Sequence, residues 1–172
     1  MQIHQKMILW MIQISNCKGF DNLYEDLLIE ADSQKLLVKE KPLKYNNGRI
    51  KGNRVAIRNN MSSIEKGCTL AEELGHHYTS SGDILNLNDT SNCKQEYTAR
   101  LWAYNKLVGL AGIIKCFEQH CSNRNEMAEH LNVTEEFLNE ALECYTQKYS
   151  PYVKFDNYII YFAPNLAVLK VM

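Results

Sequence analysis

Residues 68–78 read Cys-Thr-Leu-Ala-Glu-Glu-Leu-Gly-His-His-Tyr, and this stretch decides how the chain is interpreted. At about 100° per residue it predicts a helix whose apolar side chains form one continuous arc. The arc consists of Ile64, Cys68, Leu70, Ala71, Leu74, Gly75 and Tyr78. Four ionisable residues share the opposite face: Glu72, Glu73, His76 and His77. Taken alone, this face is typical of a solvated helix, but its spacing also suits a metal-binding helix.

The spacing of the ionisable residues matters because side chains four positions apart on a helix lie next to each other. In the motif His-Glu-x-x-His, the two histidines bind zinc and the intervening glutamate acts as general base. Here Glu72 and His76 occupy the ligand positions, and Glu73 occupies the position of the base. A carboxylate is an ordinary zinc ligand, so Glu72 is chemically acceptable. The pair Glu73 and His77 has the same spacing, and periodicity does not choose between the two pairs.

Composition places the chain among ordinary globular proteins. Its 172 residues are enough for one domain with a hydrophobic core. The formal net charge of −1 provides no global basic field to attract nucleic acid or an anionic membrane. The six cysteines include no Cys-x-x-Cys pair and match no Cys/His zinc module, so we expect reduced, buried thiols. On a continuous helix, Cys116 and Cys121 would face different directions.

The N-terminal residues do not read as a targeting signal. The apolar run at residues 7–14 is interrupted by Gln13 and lacks a small-residue cleavage site, so we expect no signal peptide. The run is also shorter than the roughly 20 apolar residues of a membrane span. We interpret residues 1–19 as an N-terminal extension and residues 20–172 as a single domain with a helical subregion at about 109–148. We expect the protein to be cytoplasmic.

The pattern along the chain predicts an α+β domain that is mainly helical, with a small antiparallel sheet. The predicted helices are Asp21–Asp32, Ser62 or Ser63 to about Thr79, Cys93–Val108 with a break near Gly109 and continuation to about Cys121, Arg124–Leu131 and Thr134–Lys148. The predicted strands are residues 36–40, 48–51, 54–58, 157–162 and 167–171. Ser-Ser-Gly-Asp at residues 80–83 is expected to end the second helix.

The two helices within residues 125–148 resemble a helix–turn–helix. Four apolar residues are expected to pack between them: Ala128, Leu131, Phe137 and Leu138. The second helix, however, carries an acidic surface made of Glu135, Glu136, Glu140 and Glu143. Because this surface would repel phosphates, we expect a structural pair or a protein-docking surface, and no direct nucleic-acid binding.

The stretch from Cys68 to Tyr78 resembles the active-site helix of the ImmA/IrrE family of metallopeptidases, in which the motif reads His-Glu-Leu-Gly-His or close to it. Gly75 before His76 corresponds to the Gly-His that ends this motif, so the resemblance favours Glu72 and His76 over Glu73 and His77 as the ligand pair. The next helix of the family supplies an acidic third ligand, followed by an Ala-Asn and an aromatic-Ala pair.

A second stretch extends the resemblance. Residues 95–103 read Gln-Glu-Tyr-Thr-Ala-Arg-Leu-Trp-Ala and are similar to the family's second helix, which implies Glu96 as third ligand. The resemblance covers roughly residues 22–161. It implies a small zincin-like domain that binds one zinc ion, with Glu73 as the general base of peptide hydrolysis. The implied protein substrate is a helix–turn–helix repressor of a phage or mobile element.

One departure from the family changes the expected chemistry. Glu72 stands where the family has its first histidine. With Glu72 and Glu96 as ligands, two carboxylates neutralise the charge of zinc and make it a weaker Lewis acid. His77 is therefore a candidate auxiliary ligand or oxyanion donor. The alternative is a catalytically weak or inactive binding module that relieves repression by stoichiometric contact with the repressor.

Overall fold

The computed structural model describes residues 23–79 and 89–171, and for residues 89–92 it describes the backbone alone. The elements in chain order are α1 (Leu23–Ser33), β1 (Leu37–Lys41), β2 (Gly48–Lys51), β3 (Arg54–Arg58), α2 (Ser63–Thr79), α3 (Asp89–Leu107), α4 (Gly109–Glu118), α5 (Arg124–Leu131), α6 (Glu135–Tyr149), β4 (Tyr152–Phe155), β5 (Tyr158–Tyr161) and β6 (Ala167–Lys170). The fold is α+β and mainly helical, as predicted. No helix within the described ranges is long and apolar enough to cross a membrane. The predicted extension at residues 1–19, the start of the first helix at Asp21 and the turn at residues 80–83 lie outside them.

The first sheet has the strand order β1-β3-β2. Strands β2 and β3 form the predicted antiparallel hairpin, and Gly52 supplies the positive φ of 59° that its tight turn needs. Strand β1 pairs with β3 in parallel, with Val38 opposite Val55, so this sheet is mixed rather than purely antiparallel. The central strand β3 buries Val55 and Ile57, which is why it lies between the other two.

The second sheet is an antiparallel meander of β4, β5 and β6. Its last two strands agree with the predicted ones. Strand β4 was not predicted, because four residues directly after Pro151 are too short a run to separate from the end of α6. Asp156, with a φ of 53°, lies in the turn between β4 and β5.

The helical subregion follows the predicted breaks. Gly109 has a φ of 58°, a conformation that interrupts the long helix and separates α3 from α4. Asn132 ends α5 in the left-handed conformation, and the Thr134 hydroxyl caps α6 by accepting the Phe137 N–H at 3.1 Å. The four apolar residues predicted to pack in this pair are all buried: Ala128, Leu131, Phe137 and Leu138.

Helix α2 is the structural centre of the fold. It begins with a capping box, in which the Ser62 hydroxyl accepts the Glu65 N–H and the Glu65 carboxylate accepts the Ser62 N–H at 2.7 Å. Its buried face is formed by Gly67, Cys68, Thr69, Leu70, Ala71, Leu74 and Gly75. Ile64, expected on this face, is exposed because it lies in the first turn, at the margin of the core.

Helices α2 and α3 pack closely at Gly75. A Cβ atom placed on Gly75 would lie 2.3 Å from the carbonyl oxygen of Ala99. Any side chain at residue 75 would therefore push the two helix backbones apart. Gly67, also buried in α2, is different, because its nearest neighbouring atom would be 3.7 Å from an added Cβ, on Leu23.

These two glycines provide a matched pair of substitutions. We expect Gly75→Ala to lower the free energy of unfolding by about 3 kcal/mol, because it overpacks a rigid backbone contact. Gly67→Ala should raise that free energy by about 0.5–1 kcal/mol, because alanine is the better helix former and has room. Urea unfolding followed by circular dichroism measures both values. Equal effects of the two substitutions would contradict this packing.

Candidate metal centre

The close packing of α2 and α3 brings His76 and Glu96 together. The Nε2 atom of His76 lies 3.4 Å from Oε2 of Glu96. The other carboxylate oxygen, Oε1, accepts a hydrogen bond from Nε of Arg100 at 2.7 Å. Glu96 is therefore held on one side by a guanidinium and faces an imidazole on the other. Two of the three predicted ligands are thus neighbours, although their role as ligands stays a prediction.

The polar contacts continue from Arg100 to α6. The Nη1 atom of Arg100 lies 3.7 Å from Oε2 of Glu140, and the same oxygen accepts a hydrogen bond from the hydroxyl of Tyr104 at 2.7 Å. Sequence reasoning missed this part of the site. The spacing of Glu96 and Arg100, four residues apart, was a signal for their ion pair. Glu140 had no such signal, because only the tertiary fold brings α6 to this place.

Glu73, the predicted general base, lies against strand β2. A Cβ atom added to Gly48 would be 2.6 Å from Oε1 of Glu73 and from Cγ2 of Thr69, so a side chain at residue 48 would displace the Glu73 carboxyl group from this position. The backbone N–H of Ile50 donates a hydrogen bond to it. Burial, followed by the neighbouring charge of Glu72, raises the pKa of Glu73 to about 7, and the Ile50 hydrogen bond only partly opposes this rise.

Glu72 is also withdrawn from water. Burial raises the pKa of its carboxyl group to about 7, against the opposing effect of the Arg100 guanidinium. The carboxylates of Glu140, Glu96 and Glu136 raise this pKa further. The acidic face of α2 is therefore a half-buried, electrostatically crowded surface, unlike the solvated face that the sequence pattern alone would suggest. Such perturbed carboxyl groups cluster at functional sites.

His77, the candidate auxiliary ligand, packs its ring edge against Tyr78 with centroids 5.4 Å apart. Cys68, one helical turn before Glu72, is buried, and burial raises the pKa of its thiol to about 11. Because zinc binds the thiolate form, a protonated Cys68 is a poor candidate for a further ligand.

The donor types at this centre fit zinc, because imidazole nitrogen and carboxylate oxygen are ordinary zinc ligands. The arrangement fits only in part. Within residues 23–79 and 89–171, no group of three His, Cys, Asp or Glu side chains is close enough to hold a metal ion. His76 and Glu96 provide two neighbouring ligands. Glu72 is near enough for the charge of Glu96 to raise its pKa, but it does not complete a set of three ligands.

A cavity of about 300 Å³ opens next to this network, between α3 and α6. It is lined by Tyr97, Arg100, Tyr104, Glu140, Glu143, Cys144 and Gln147. Because Arg100 and Glu140 belong both to the cavity wall and to the contacts around Glu96, a ligand in this cavity would lie beside the candidate centre.

A helix that carries Glu72, Glu73 and His76 packs on a second helix that carries Glu96, and with a small sheet beside them these helices form a small α+β domain. The family model described as the IrrE N-terminal-like domain matches residues 31–143. The chain therefore belongs to the ImmA/IrrE family, and the resemblance seen in the sequence is confirmed. The match runs from α1 into α6 and includes the whole candidate centre, whereas β4 to β6 lie beyond it. No curated protein matched the chain.

The raised pKa of Glu72 predicts how stability depends on pH. A carboxyl group whose pKa is about 7 when folded, against 4.5 when unfolded, stabilises the fold below pH 4.5 and loses this contribution as the pH rises through 7. In the presence of a chelator, the parent protein should lose on the order of 2 kcal/mol over this interval from this group. Glu72→Gln, which stays neutral, should flatten the dependence. If urea unfolding gives the same pH dependence of the unfolding free energy for parent and variant, the raised pKa of the buried Glu72 is contradicted.

Proposed function

We propose that this protein is a metal-dependent endopeptidase that cleaves or inactivates a helix–turn–helix repressor of a phage or mobile element. The observation that carries the proposal is the placement of Glu73. Its carboxyl group is half-buried on the helix face that carries His76, is hydrogen-bonded by Ile50, and has a pKa of about 7. A general base works best when its pKa lies near the working pH. Family membership supports the reaction class.

In this proposal, His76 and Glu96 would hold zinc, and the Glu72 carboxylate would have to turn toward the ion to complete the set. When bound, zinc polarises the scissile carbonyl and lowers the pKa of the attacking water. Glu73 accepts the proton of that water and passes it to the leaving amine. The zincin-like character of the domain and the role of His77 as auxiliary ligand or oxyanion donor are parts of the same proposal. We also propose a cytoplasmic location, where a repressor would be reached, and no direct contact with nucleic acid or membrane.

Zinc affinity tests the ligand set. We expect His76→Ala and Glu96→Ala to weaken zinc binding by more than about tenfold, since losing even a group that only supports a metal ligand costs that much. His77→Ala should have a smaller effect. Competition with a chromophoric chelator measures all three constants, and circular dichroism checks folding. The reverse order, with His77→Ala releasing zinc and His76→Ala retaining it, would show that Glu73 and His77 form the ligand pair.

Incubation with a helix–turn–helix repressor encoded by a neighbouring gene tests the activity. We expect a discrete cut that requires zinc and stops when a chelator is added. Glu73→Gln should slow the cut by about 10²–10⁴-fold while zinc affinity stays close to that of the parent, because the variant removes the general base and leaves the metal ligands. A cut that proceeds at the parental rate in Glu73→Gln would contradict the role of Glu73.

Two observations favour a second candidate, a binding module that relieves repression by stoichiometric contact. Glu72 replaces a histidine, and Arg100 already holds one oxygen of Glu96. A site arranged in this way is a weakened metal centre. If the repressor is inactivated without being cut, and Glu73→Gln inactivates it equally well at equal protein ratios, the binding module is correct and the peptidase proposal fails.

A further inference from the structure

The end of α4 brings two cysteines together. Helix α4 ends at Glu118, and His120 adopts the left-handed conformation with a φ of 58°. The N–H of His120 bonds to the carbonyl of Phe117, and the N–H of Cys121 bonds to the carbonyl of Cys116, each at 3.0 Å. These two bonds define a Schellman motif, which folds the residue after the left-handed one back onto the last helical turn. The expectation that Cys116 and Cys121 face different directions is therefore wrong, because Cys121 lies beyond the helix.

The two cysteines, joined by this backbone hydrogen bond, differ in exposure. Cys116 is 1% exposed, whereas Cys121 is only partly buried at the rim of the core. Burial, followed by the neighbouring Cys121 thiol, raises the pKa of the Cys116 thiol to about 12. The Sγ atom of Cys116 also lies 4.0 Å from the carbonyl oxygen of Met127. All cysteines in the described ranges are free thiols.

We propose that Cys116 and Cys121 form a dithiol site that small-molecule disulfides, such as glutathione disulfide, oxidise reversibly to an intramolecular disulfide. The accessible Cys121 loses its proton, and its thiolate attacks one sulfur of glutathione disulfide. That S–S bond breaks, and one glutathione leaves as a thiolate that takes up a proton. Cys116 then loses its proton and attacks the Cys121 sulfur of the mixed disulfide, releasing the second glutathione. In total, two protein thiols are oxidised and one glutathione disulfide is reduced to two glutathiones.

The backbone favours the second step. A disulfide forms without backbone movement only when the two Cα atoms are near and the side chains point toward each other. The two hydrogen bonds of the Schellman motif bring the backbone of Cys121 onto the turn that carries Cys116, so the resolving thiol is nearby before the mixed disulfide forms. The resulting bond would link the end of α4 to the segment that leads into α5.

The test exposes the purified full-length chain to a series of glutathione and glutathione disulfide ratios and reads the products by intact mass and peptide mapping. The exposed Cys93 is an internal reference for a surface thiol. We expect the parent to form a product two hydrogens lighter, with Cys116 linked to Cys121. Cys116→Ser should instead accumulate a single glutathione on Cys121 that does not resolve, and Cys121→Ser should leave Cys116 unmodified.

The proposal is overturned if the parent keeps glutathione on Cys121 without forming the intramolecular link. It is also overturned if Cys121 stays unmodified at ratios that modify Cys93, or if Cys121 links to another cysteine. The decisive product is formed by the parent, so the conclusion holds even if a serine variant folds poorly. Circular dichroism shows whether each serine variant is folded, and only the results of folded variants are interpreted.

Discussion

The contact between Gly75 and Ala99 is the constraint on which the candidate centre depends. With an added Cβ only 2.3 Å from a backbone oxygen, α2 and α3 approach each other as closely as their main chains allow. Beside this contact, Nε2 of His76 lies 3.4 Å from Oε2 of Glu96. A second glycine, Gly48, performs a similar role on the other side of α2, because it lets strand β2 lie against Glu73. The two glycines thus set the width of the site.

Acidic side chains cluster in this site. Burial raises the pKa values of Glu72 and Glu73 to about 7. The charge of Glu72 raises the pKa of Glu73 further, and the charges of Glu140 and Glu96 raise that of Glu72. Arg100 is the cation that opposes this charge at Glu72, and it also binds Glu96. A divalent ion would supply the positive charge that this cluster lacks, in competition with Arg100 for Glu96. Because Glu72 stands where the family has a histidine, the outcome of the competition between the ion and Arg100 for Glu96 decides whether this site binds a metal.

Much of the fold could be predicted because local signals agree with the tertiary structure. Ser62 and Glu65 indicate in the sequence where α2 begins, and they form its capping box in the structure. Gly109 indicates the break between α3 and α4, and Asn132 the turn before α6. Parallel pairing of β1 was missed, since a strand's partner is a long-range property that composition does not encode. The candidate ligands could be named from helical spacing together with the family resemblance. Their electrostatic surroundings depend on packing between distant segments, above all on the contact of Glu140 in α6 with Tyr104 in α3.

The most direct measurement is anomalous diffraction from crystals soaked in zinc without chelator. We expect a peak within about 2.0–2.2 Å of Nε2 of His76 and of a Glu96 oxygen, with Glu72 turned toward the same ion. If the crystals take up no zinc at this pair and Glu96 stays bound to Arg100, this centre is not a metal site.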